Sequence, residues 1–210
     1  MTRRLYLVRH GAAEGAEGRA IGHTDLPLSA SGRRAIERLT ASWMGPPPDR
    51  LITSPLTRAG ASAEILGAKW NLIPSTEPRL AEMSFGIWDG RSWDEIHVGD
   101  GERFAAWATH WWQAPTPGGE GFPGLIARTG EWLDSELAER SPRVTVAVTH
   151  AGPIRALLGG RLGVPVRELW EQQVGLARVS AVAAGRHHPP RLLFVDRPGF
   201  PAPSAIRADA

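Results

Sequence analysis

The chain has 210 residues, of which 42% are hydrophobic and 22% are charged, and its formal net charge is +2. This composition is typical of a globular protein with a substantial core, and it excludes an intrinsically disordered chain. Cysteine is absent and the positive charge is dispersed, with Lys69 the only lysine, so the sequence excludes disulfides, thiol nucleophiles and thiolate metal sites and shows no basic stripe for nucleic acid.

The first part of the chain alternates predicted strands with predicted helices. A short unbroken apolar run predicts a buried strand, and an apolar period near 3.6 residues predicts a helix that a Gly-Pro-Pro-Pro run stops. The predicted elements are a strand at 5–8, a helix from Ser29 or Ser31 with Ile36, Leu39 and Trp43 on one face, a strand at 51–53, a helix over about 56–67 and a weaker strand candidate at 72–74. We expect Ser54 and Pro55 to cap the second helix, with Pro55 in its first turn.

The second part differs, because residues from about 80 to 124 are dense in tryptophan, glycine and proline. We expect this stretch to form an inserted helical cap rather than sheet. The predicted elements are cap helices around 92–98 and 102–112, a long helix with Ile126, Thr129, Leu133 and Leu137 on one face that ends at Ser141-Pro142, a strand at 144–148, a helix with Ile154, Leu157, Leu158 and Leu162 on one face, and late strands at 179–182 and 192–195.

These elements predict an α/β fold of three layers, an α/β/α sandwich whose mostly parallel central sheet has a late antiparallel extension. We expect a single domain over residues 1–196, with the cap at about 80–124 and a loose tail at 197–210. No apolar run approaches the roughly 20 residues needed to span a bilayer, and no signal-length segment precedes the first strand. We therefore expect a cytoplasmic protein without a membrane partner.

Two strands end in the same pattern of polar residues. The tripeptide Arg9-His10-Gly11 follows the first strand, and His150 follows the strongest one. Since ligands of open α/β sheets bind at the carboxyl ends of strands, both imidazoles should face one crevice, and Arg58 should reach it from the opening turn of a helix. Alone, the tripeptide would more often be a solvated strand end. Together these groups indicate a pocket for a dianion, which we interpret as a phosphoryl group.

The available residue types limit the phosphoryl chemistry. Cysteine is absent, and no Gly-x-x-x-x-Gly-Lys-Ser/Thr loop is present to hold a nucleotide with magnesium. A neutral imidazole can attack phosphorus and form a phosphohistidine. We assign the attack to His10, which has an arginine directly beside it, and the binding of the transferring phosphoryl group to His150. We expect backbone N–H groups at Gly11 and at Ala151, where a helix begins, to add donors to the phosphate.

Four stretches, taken in order, resemble the signatures of the histidine phosphatase superfamily, also called phosphoglycerate mutase-like. They are Arg-His-Gly at 9–11, Ser-Pro-Leu-Thr-Arg-Ala at 54–59, Leu-Ala-Glu-Met-Ser-Phe-Gly-Ile-Trp-Asp-Gly at 80–90 and Thr-His-Ala-Gly at 149–152. The resemblance spans nearly the whole chain. It implies that His10 is phosphorylated, that Arg9, Arg58 and His150 bind the phosphoryl group, and that Glu82 is the proton donor and later the base. We expect no metal and no other cofactor.

One position departs from the superfamily's pattern. Members usually carry Glu-Thr-Glu-x-Asn after the Arg-His-Gly, with the asparagine touching phosphate, whereas residues 12–16 here read Ala-Ala-Glu-Gly-Ala. Ala16 therefore removes one phosphate hydrogen bond. We expect either slower turnover or a substitute backbone N–H near Gly22.

The cap is similar to the phosphatase branch and, within it, to the α-ribazole phosphatases of cobalamin nucleotide-loop assembly. The similarity lies in Phe-Gly-x-Trp-Asp-Gly at 85–90 and in the stretches 104–107 and 117–122. It implies removal of the 5′-phosphate from α-ribazole 5′-phosphate or a related corrinoid precursor. A flat base could stack on cap tryptophans, but we expect most of these rings to pack the cap and at most one or two to touch ligand. The rings are Trp88, Trp93, Trp107, Trp111 and Trp112, of which Trp107 and Trp111 should face the same way.

The sequence leaves other functions open. A phosphoglycerate mutase and a broad-specificity phosphatase would share the same motifs. A binding-only relative without activity would also have this fold, and Ala16 gives that alternative slight support. The pair His187-His188 is a weak candidate for a metal site, because adjacent histidines point apart and two prolines follow, so we expect an exposed turn there. Because the motifs indicate a phosphoryl pocket and the positive charge is dispersed, we expect a phosphorylated small molecule as the partner and not a nucleic acid.

Overall fold

The computed structural model describes residues 2–138, 144–169, 171–185 and 188–201. In these ranges the strands are β1 (Thr2–Arg9), β2 (Arg50–Thr53), β3 (Ser75–Thr76), β4 (Val144–Thr149), β5 (Val179–Gly185) and β6 (His188–Arg197). The α-helices are α1 (Ala30–Ala41), α2 (Thr57–Trp70), α3 (Trp93–Gly99), α4 (Gly101–His110), α5 (Phe122–Ala138), α6 (Ala151–Leu162) and α7 (Val166–Leu169). Two 3₁₀ helices, Pro78–Leu80 and Gly86–Trp88, lie between β3 and α3.

The strands form one mixed sheet in the order β3-β2-β4-β1-β5-β6. Strands β1 to β4 run parallel, whereas β5 is antiparallel to β1 and β6 is antiparallel to β5. The predicted parallel sheet with a late antiparallel extension is therefore confirmed. Arg9 at the end of β1 pairs with Thr149 at the end of β4, so the residues that follow these two strands lie side by side.

Side chains on β1 alternate between two apolar layers, because successive residues of a strand point to opposite faces of the sheet. Tyr6 and Val8 pack with residues of α1 and α2, whereas Leu5 and Leu7 pack with residues of α5 and α6. Helices therefore cover both faces, and β4 is buried along almost its whole length. The predicted three-layer α/β/α arrangement is confirmed.

Residues 80–124 contain α3 and α4, close to the two helices expected there, and no strand of the sheet. Trp88, Trp107 and Trp111 are buried in this stretch and belong to the same apolar cluster as residues of α5 and α6. The cap is thus packed onto the layer of helices that also contains α6, and its aromatic side chains are part of the main core.

The start of α2 differs from the prediction. The helix begins at Thr57, so Pro55 lies outside its first turn and Ser54 does not cap it. Instead, Asp25 accepts hydrogen bonds from Thr57 N (2.7 Å) and Thr57 Oγ1 (2.6 Å). The Ser54 hydroxyl lies against His150. The Ser54 hydroxyl, which the local sequence predicts as the helix cap, therefore contacts His150 instead.

The third strand also lies elsewhere than predicted, at Ser75–Thr76 rather than 72–74. Asn71 ends α2 in the left-handed conformation (φ 55°), and Leu72 N still donates to Gly67 O, so this residue belongs to the terminal turn of the helix. Proline has no N–H for a sheet ladder, and pairing with β2 starts only after Pro74.

The first helix ends at Ala41, earlier than its apolar period predicts. Trp43 therefore lies beyond the helix, and its ring packs edge-to-face on Tyr6 and Trp70. The sequence also does not predict the short helix α7. At Trp43, tertiary packing outweighs the local apolar period.

Some predictions lie outside the described residues: the helix stop at Ser141-Pro142, the turn at His187 and the tail beyond residue 201. His188 begins β6, so the expected turn does not extend to it. None of the helices within the described ranges has both the length and the apolar character needed to cross a membrane.

Candidate active site

His10 and His150 meet at the carboxyl edge of the sheet. His10 follows β1 and donates from its backbone N to Thr149 O (3.0 Å), and His150 follows β4. The centroids of the two imidazole rings lie 4.8 Å apart. Both side chains are buried, with 6% and 0% exposure. The parallel pairing of β1 with β4 thus brings together the two histidines that the sequence placed at one edge.

His10 is held in one tautomer. Its Nδ1 lies 2.6 Å from Gly11 O, and because a carbonyl oxygen can only accept, the proton is on Nδ1. Nε2 then carries the lone pair, which accepts from Arg58 Nε (3.3 Å). Burial, followed by the positive charge of Arg58, lowers the pKa of His10 to about 3. At neutral pH the ring is therefore uncharged, with a nucleophilic nitrogen beside a guanidinium.

Arg58 is buried in the first turn of α2, with 1% exposure. Besides His10, it donates to Gly22 O (2.8 Å) and Thr24 O (3.0 Å). Asp89 holds that loop in turn, because its carboxylate accepts from the backbone N of Gly22 (3.2 Å) and Thr24 (2.8 Å). Burial lowers the pKa of Arg58, but the guanidinium stays protonated at neutral pH.

Arg9 is anchored by the segment that precedes β5. Its Nη1 donates to Val174 O (2.6 Å), and its backbone N donates to Arg178 O (3.0 Å). The Nε atom is buried and has no hydrogen-bond partner among the described residues. Burial lowers the pKa of Arg9, whereas the negative charge of Glu82 raises it. A buried guanidinium nitrogen without a partner at the wall of a cavity is a donor that an anion can use.

Glu82 lies at the N-terminus of α6. Its Oε1 accepts hydrogen bonds from Met83 N (2.9 Å) and Gly152 N (3.1 Å), and Gly152 lies in the first turn of that helix. A Cβ at position 152 would overlap Glu82 Oε1. The glycine of the Thr-His-Ala-Gly motif is therefore what allows this carboxylate to approach the helix.

Arg128 of α5 ties down the segment that carries Glu82. It binds both carboxylate oxygens of Glu120, at 2.7 and 2.8 Å, and donates to the carbonyl oxygens of Arg79 (2.6 Å) and Glu82 (3.1 Å). Bidentate pairing fixes the plane of the guanidinium. Sequence reasoning misses Arg128, because nothing in the spacing of these residues marks the contact.

Three backbone N–H groups were expected near the phosphate, and two of them already have hydrogen-bond partners. The Gly11 N–H donates to Ser62 Oγ (3.2 Å), and the Gly22 N–H donates to Asp89, so neither is free in this arrangement. The expected substitute donor near Gly22 is thus already used to hold the loop. Ala151 lines the cavity as the first residue of α6, where helix N–H groups have no partner within the helix.

A cavity of about 740 Å³ opens beside these groups. Arg9, His10, Arg58 and Glu82 line one part of it, and an apolar part is lined by Phe85, Trp93, Trp111 and Phe122. These rings form two edge-to-face pairs, Phe85 with Trp93 and Trp111 with Phe122. Two of the five cap tryptophans therefore line the cavity.

That Trp107 and Trp111 face the same way stays a prediction; both are buried in the same apolar cluster, but their ring contacts differ. Trp107 packs on Trp88, whereas Trp111 packs on Phe122 and lines the cavity.

Sequence reasoning also misses Arg155. It lies one turn after Ala151 on α6, lines the cavity and donates from Nη2 to Gln172 O (3.2 Å). The helical spacing from the Thr-His-Ala-Gly motif is the signal that could have identified it. Among the described residues, no group of three or more His, Asp or Glu side chains is arranged to hold a metal ion.

Comparison with known proteins extends these observations. The family model described as "Histidine phosphatase superfamily (branch 1)" matches residues 5–196. An adenosylcobalamin/α-ribazole phosphatase of Salmonella typhimurium is 31% identical over 180 residues, which are 85% of this chain and 89% of that protein. A glucosyl-3-phosphoglycerate phosphatase of Mycobacterium tuberculosis is 30% identical over 203 residues, covering 90% of this chain and 87% of the relative.

The fold is also similar to solved structures. The crystal structure of the α-ribazole phosphatase from Shigella flexneri superposes with a TM-score of 0.85 at 26% identity, covering 95% of this chain and 98% of that one. The similarity therefore includes the cap as well as the sheet, since nearly the whole of both chains is matched.

Proposed function

Because the chain belongs to the histidine phosphatase superfamily (branch 1), we propose that His10 is the nucleophile of its phosphatase reaction and Glu82 the proton donor. We further propose that the substrate is α-ribazole 5′-phosphate or a related cobalamin precursor. The observation that supports this most strongly is the cavity, in which His10, two arginines and a carboxylate are combined with an aromatic wall.

In the first half-reaction, His10 Nε2 attacks phosphorus while the bond between phosphorus and the ester oxygen breaks. Protonated Glu82 gives its proton to the leaving oxygen, so the products are an alcohol, a carboxylate and a phosphohistidine. The Nδ1–H bond to Gly11 O supports the positive charge that develops on the ring.

In the second half-reaction, the Glu82 carboxylate takes a proton from water, and the water oxygen attacks phosphorus. The bond between phosphorus and Nε2 breaks, its electron pair returns to His10, and inorganic phosphate leaves. Arg9, Arg58 and His150 would bind the non-bridging oxygens throughout, which is where charge must be stabilised in phosphoryl transfer.

The choice of substrate is supported by the aromatic part of the cavity. Benzimidazole is flat and apolar, and aromatic side chains bind such rings by stacking and edge-to-face contact. The cavity volume of about 740 Å³ is sufficient for a nucleotide-sized ligand. The adenosylcobalamin/α-ribazole phosphatase similar over 85% of the chain supports the same substrate class.

A second candidate function is supported by the position of Arg155. Arg155 also lines the cavity, and a guanidinium there could bind a carboxylate of the substrate. This favours a phosphoglycerate mutase or a broad-specificity phosphatase that accepts sugar phosphates and phosphocarboxylic acids, such as 3-phosphoglycerate.

A substrate panel tests the proposal. We expect kcat/KM for phosphate release to be highest with α-ribazole 5′-phosphate, lower with 3-phosphoglycerate and sugar phosphates, unaffected by a chelator, and lost in His10→Ala. Mutase products should be followed in the same reactions. Preference for 3-phosphoglycerate that Arg155→Met abolishes would instead establish the second candidate, and phosphate release unchanged in His10→Ala would contradict the assignment of the nucleophile.

A further inference from the structure

The two ring nitrogens of His150 have different surroundings. Nε2 lies 2.7 Å from Ser54 Oγ, whereas Nδ1 is buried and has no hydrogen-bond partner among the described residues. Burial, followed by the positive charge of neighbouring groups, lowers the pKa of His150 well below its usual range, so the ring is neutral at pH 7. A neutral imidazole carries its proton on only one nitrogen. The tautomer therefore decides whether Nδ1 is a donor or a lone pair.

The surroundings of the Ser54 hydroxyl distinguish the two tautomers. Ser54 is 1% exposed, and its Oγ already accepts a hydrogen bond from Leu56 N (3.3 Å). If the hydroxyl donates to His150 Nε2, it has both an acceptor for its proton and a donor for its oxygen. If Nε2–H donated to Oγ instead, the hydroxyl proton would need another acceptor, and the described residues provide none. A buried hydroxyl that donates nothing is costly, so the first arrangement is favoured.

We propose that Ser54 is a positioning residue that holds His150 as the Nδ1–H tautomer, so that its unpartnered nitrogen donates to an oxygen of the transferring phosphoryl group. The inference deepens the proposed function and depends on its assignment of His150 to phosphate binding. In the other tautomer, Nδ1 would carry a lone pair and could not donate to an anionic oxygen. The serine of the Ser-Pro-Leu-Thr-Arg-Ala motif thus acts through His150, which also explains why it does not cap α2.

The tautomer can be measured directly. Two-bond ¹H–¹⁵N correlation spectra of protein labelled at histidine distinguish Nδ1–H from Nε2–H rings, and His150→Gln assigns the signals of this residue. We expect His150 to be Nδ1–H in the wild type. In Ser54→Ala we expect it to shift to Nε2–H, with kcat on an aryl phosphate lowered about 10²- to 10³-fold and KM changed little, because this is the usual effect of losing one transition-state donor.

The matched control is Thr40→Ala, which removes another buried hydroxyl, one that donates to Ile36 O within α1 and lies away from the cavity. It should change neither the tautomer nor kcat, while Ser54→Thr should restore both. A wild-type His150 in the Nε2–H form overturns the inference even where Ser54→Ala does not fold. So does a loss of activity in Ser54→Ala without a change of tautomer. A wild type that hydrolyses no phosphomonoester would remove the proposed function yet leave the measured tautomer intact, so the two failures are distinguishable.

Discussion

Glu82 and Gly152 are in such close contact that the smallest additional side chain would separate them. The carboxylate accepts the Gly152 N–H, and a Cβ at that position would overlap Glu82 Oε1. The two residues come from motifs about 70 positions apart in the sequence. The position of the proposed proton donor therefore depends on the absence of one methyl group.

We predict that Gly152→Ala displaces Glu82 and lowers kcat on an aryl phosphate. General acid–base catalysis contributes roughly 10²–10⁴-fold, so a loss of about 10²-fold is expected from a displaced acid. Steady-state kinetics, with circular dichroism to confirm folding, measures the effect.

The control is Gly60→Ala in α2, where a Cβ would contact nothing within 4 Å. It should keep wild-type kinetics and gain about 0.5–1 kcal/mol in the free energy of unfolding, since glycine is unfavourable inside a helix. Wild-type kcat in Gly152→Ala would show that Glu82 does not need this position.

Helix α2 delivers Arg58 to the site, and its N-terminus depends on a side chain from a distant loop. Asp25 accepts from Thr57 N and Thr57 Oγ1, and Arg58 is the next residue. The same loop supplies two carbonyl oxygens to the Arg58 guanidinium. One loop thus both caps α2 and holds the Arg58 guanidinium in place.

We predict that Asp25→Ala lowers the free energy of unfolding by about 1 kcal/mol, the usual effect of removing a helix N-cap carboxylate. It should also weaken binding of inorganic phosphate, because the first turn that carries Arg58 loses its anchor. Urea unfolding and calorimetry measure the two effects. Glu64→Ala, which removes an exposed carboxylate from the middle of the same helix, should change stability by less than about 0.5 kcal/mol. Equal effects of both variants would contradict a capping role.

The fold as a whole keeps two neutral histidines and two arginines at one edge of the sheet, and this arrangement affects stability. The pKa of His10 falls to about 3, and that of His150 lies well below its usual range. In the unfolded chain both groups titrate near 6.5. Between these values the unfolded state binds more protons than the folded state, so stability rises with pH and is lost as the pH falls below about 6.5.

We predict that acidification from pH 7 to pH 5 in phosphate-free buffer destabilises the protein by up to about 1.4 kcal/mol per pH unit for each of the two histidines. Urea unfolding at several pH values measures this slope. His10→Gln should reduce the slope, whereas Gly60→Ala should shift stability by a constant amount at every pH. The same slope in His10→Gln as in the wild type would contradict the assignment of the effect to this residue.

Much of the architecture was determined by the sequence, because the signals are local. The apolar runs of β1 and β4, the periodic faces of α5 and α6, and the polar residues directly after each strand are properties of short segments. Parallel pairing then places His10 and His150 together without further information. For the same reason, Arg9 and Arg58 could be named as candidates in advance, whereas Glu82 was indicated only by the resemblance of its segment to a superfamily motif.

Only the tertiary structure decided which donors are free and which side chains line the cavity. The Gly11 and Gly22 N–H groups are taken by Ser62 and Asp89, residues far away in the sequence. Arg128, the cap at Asp25 and the Ser54 contact to His150 likewise join segments 30 or more residues apart. A side-chain hydrogen bond depends on distances of a few tenths of an ångström between such segments, and no local pattern encodes them. The chemistry of the site was therefore readable from residue types, whereas its precise hydrogen bonding was set by packing.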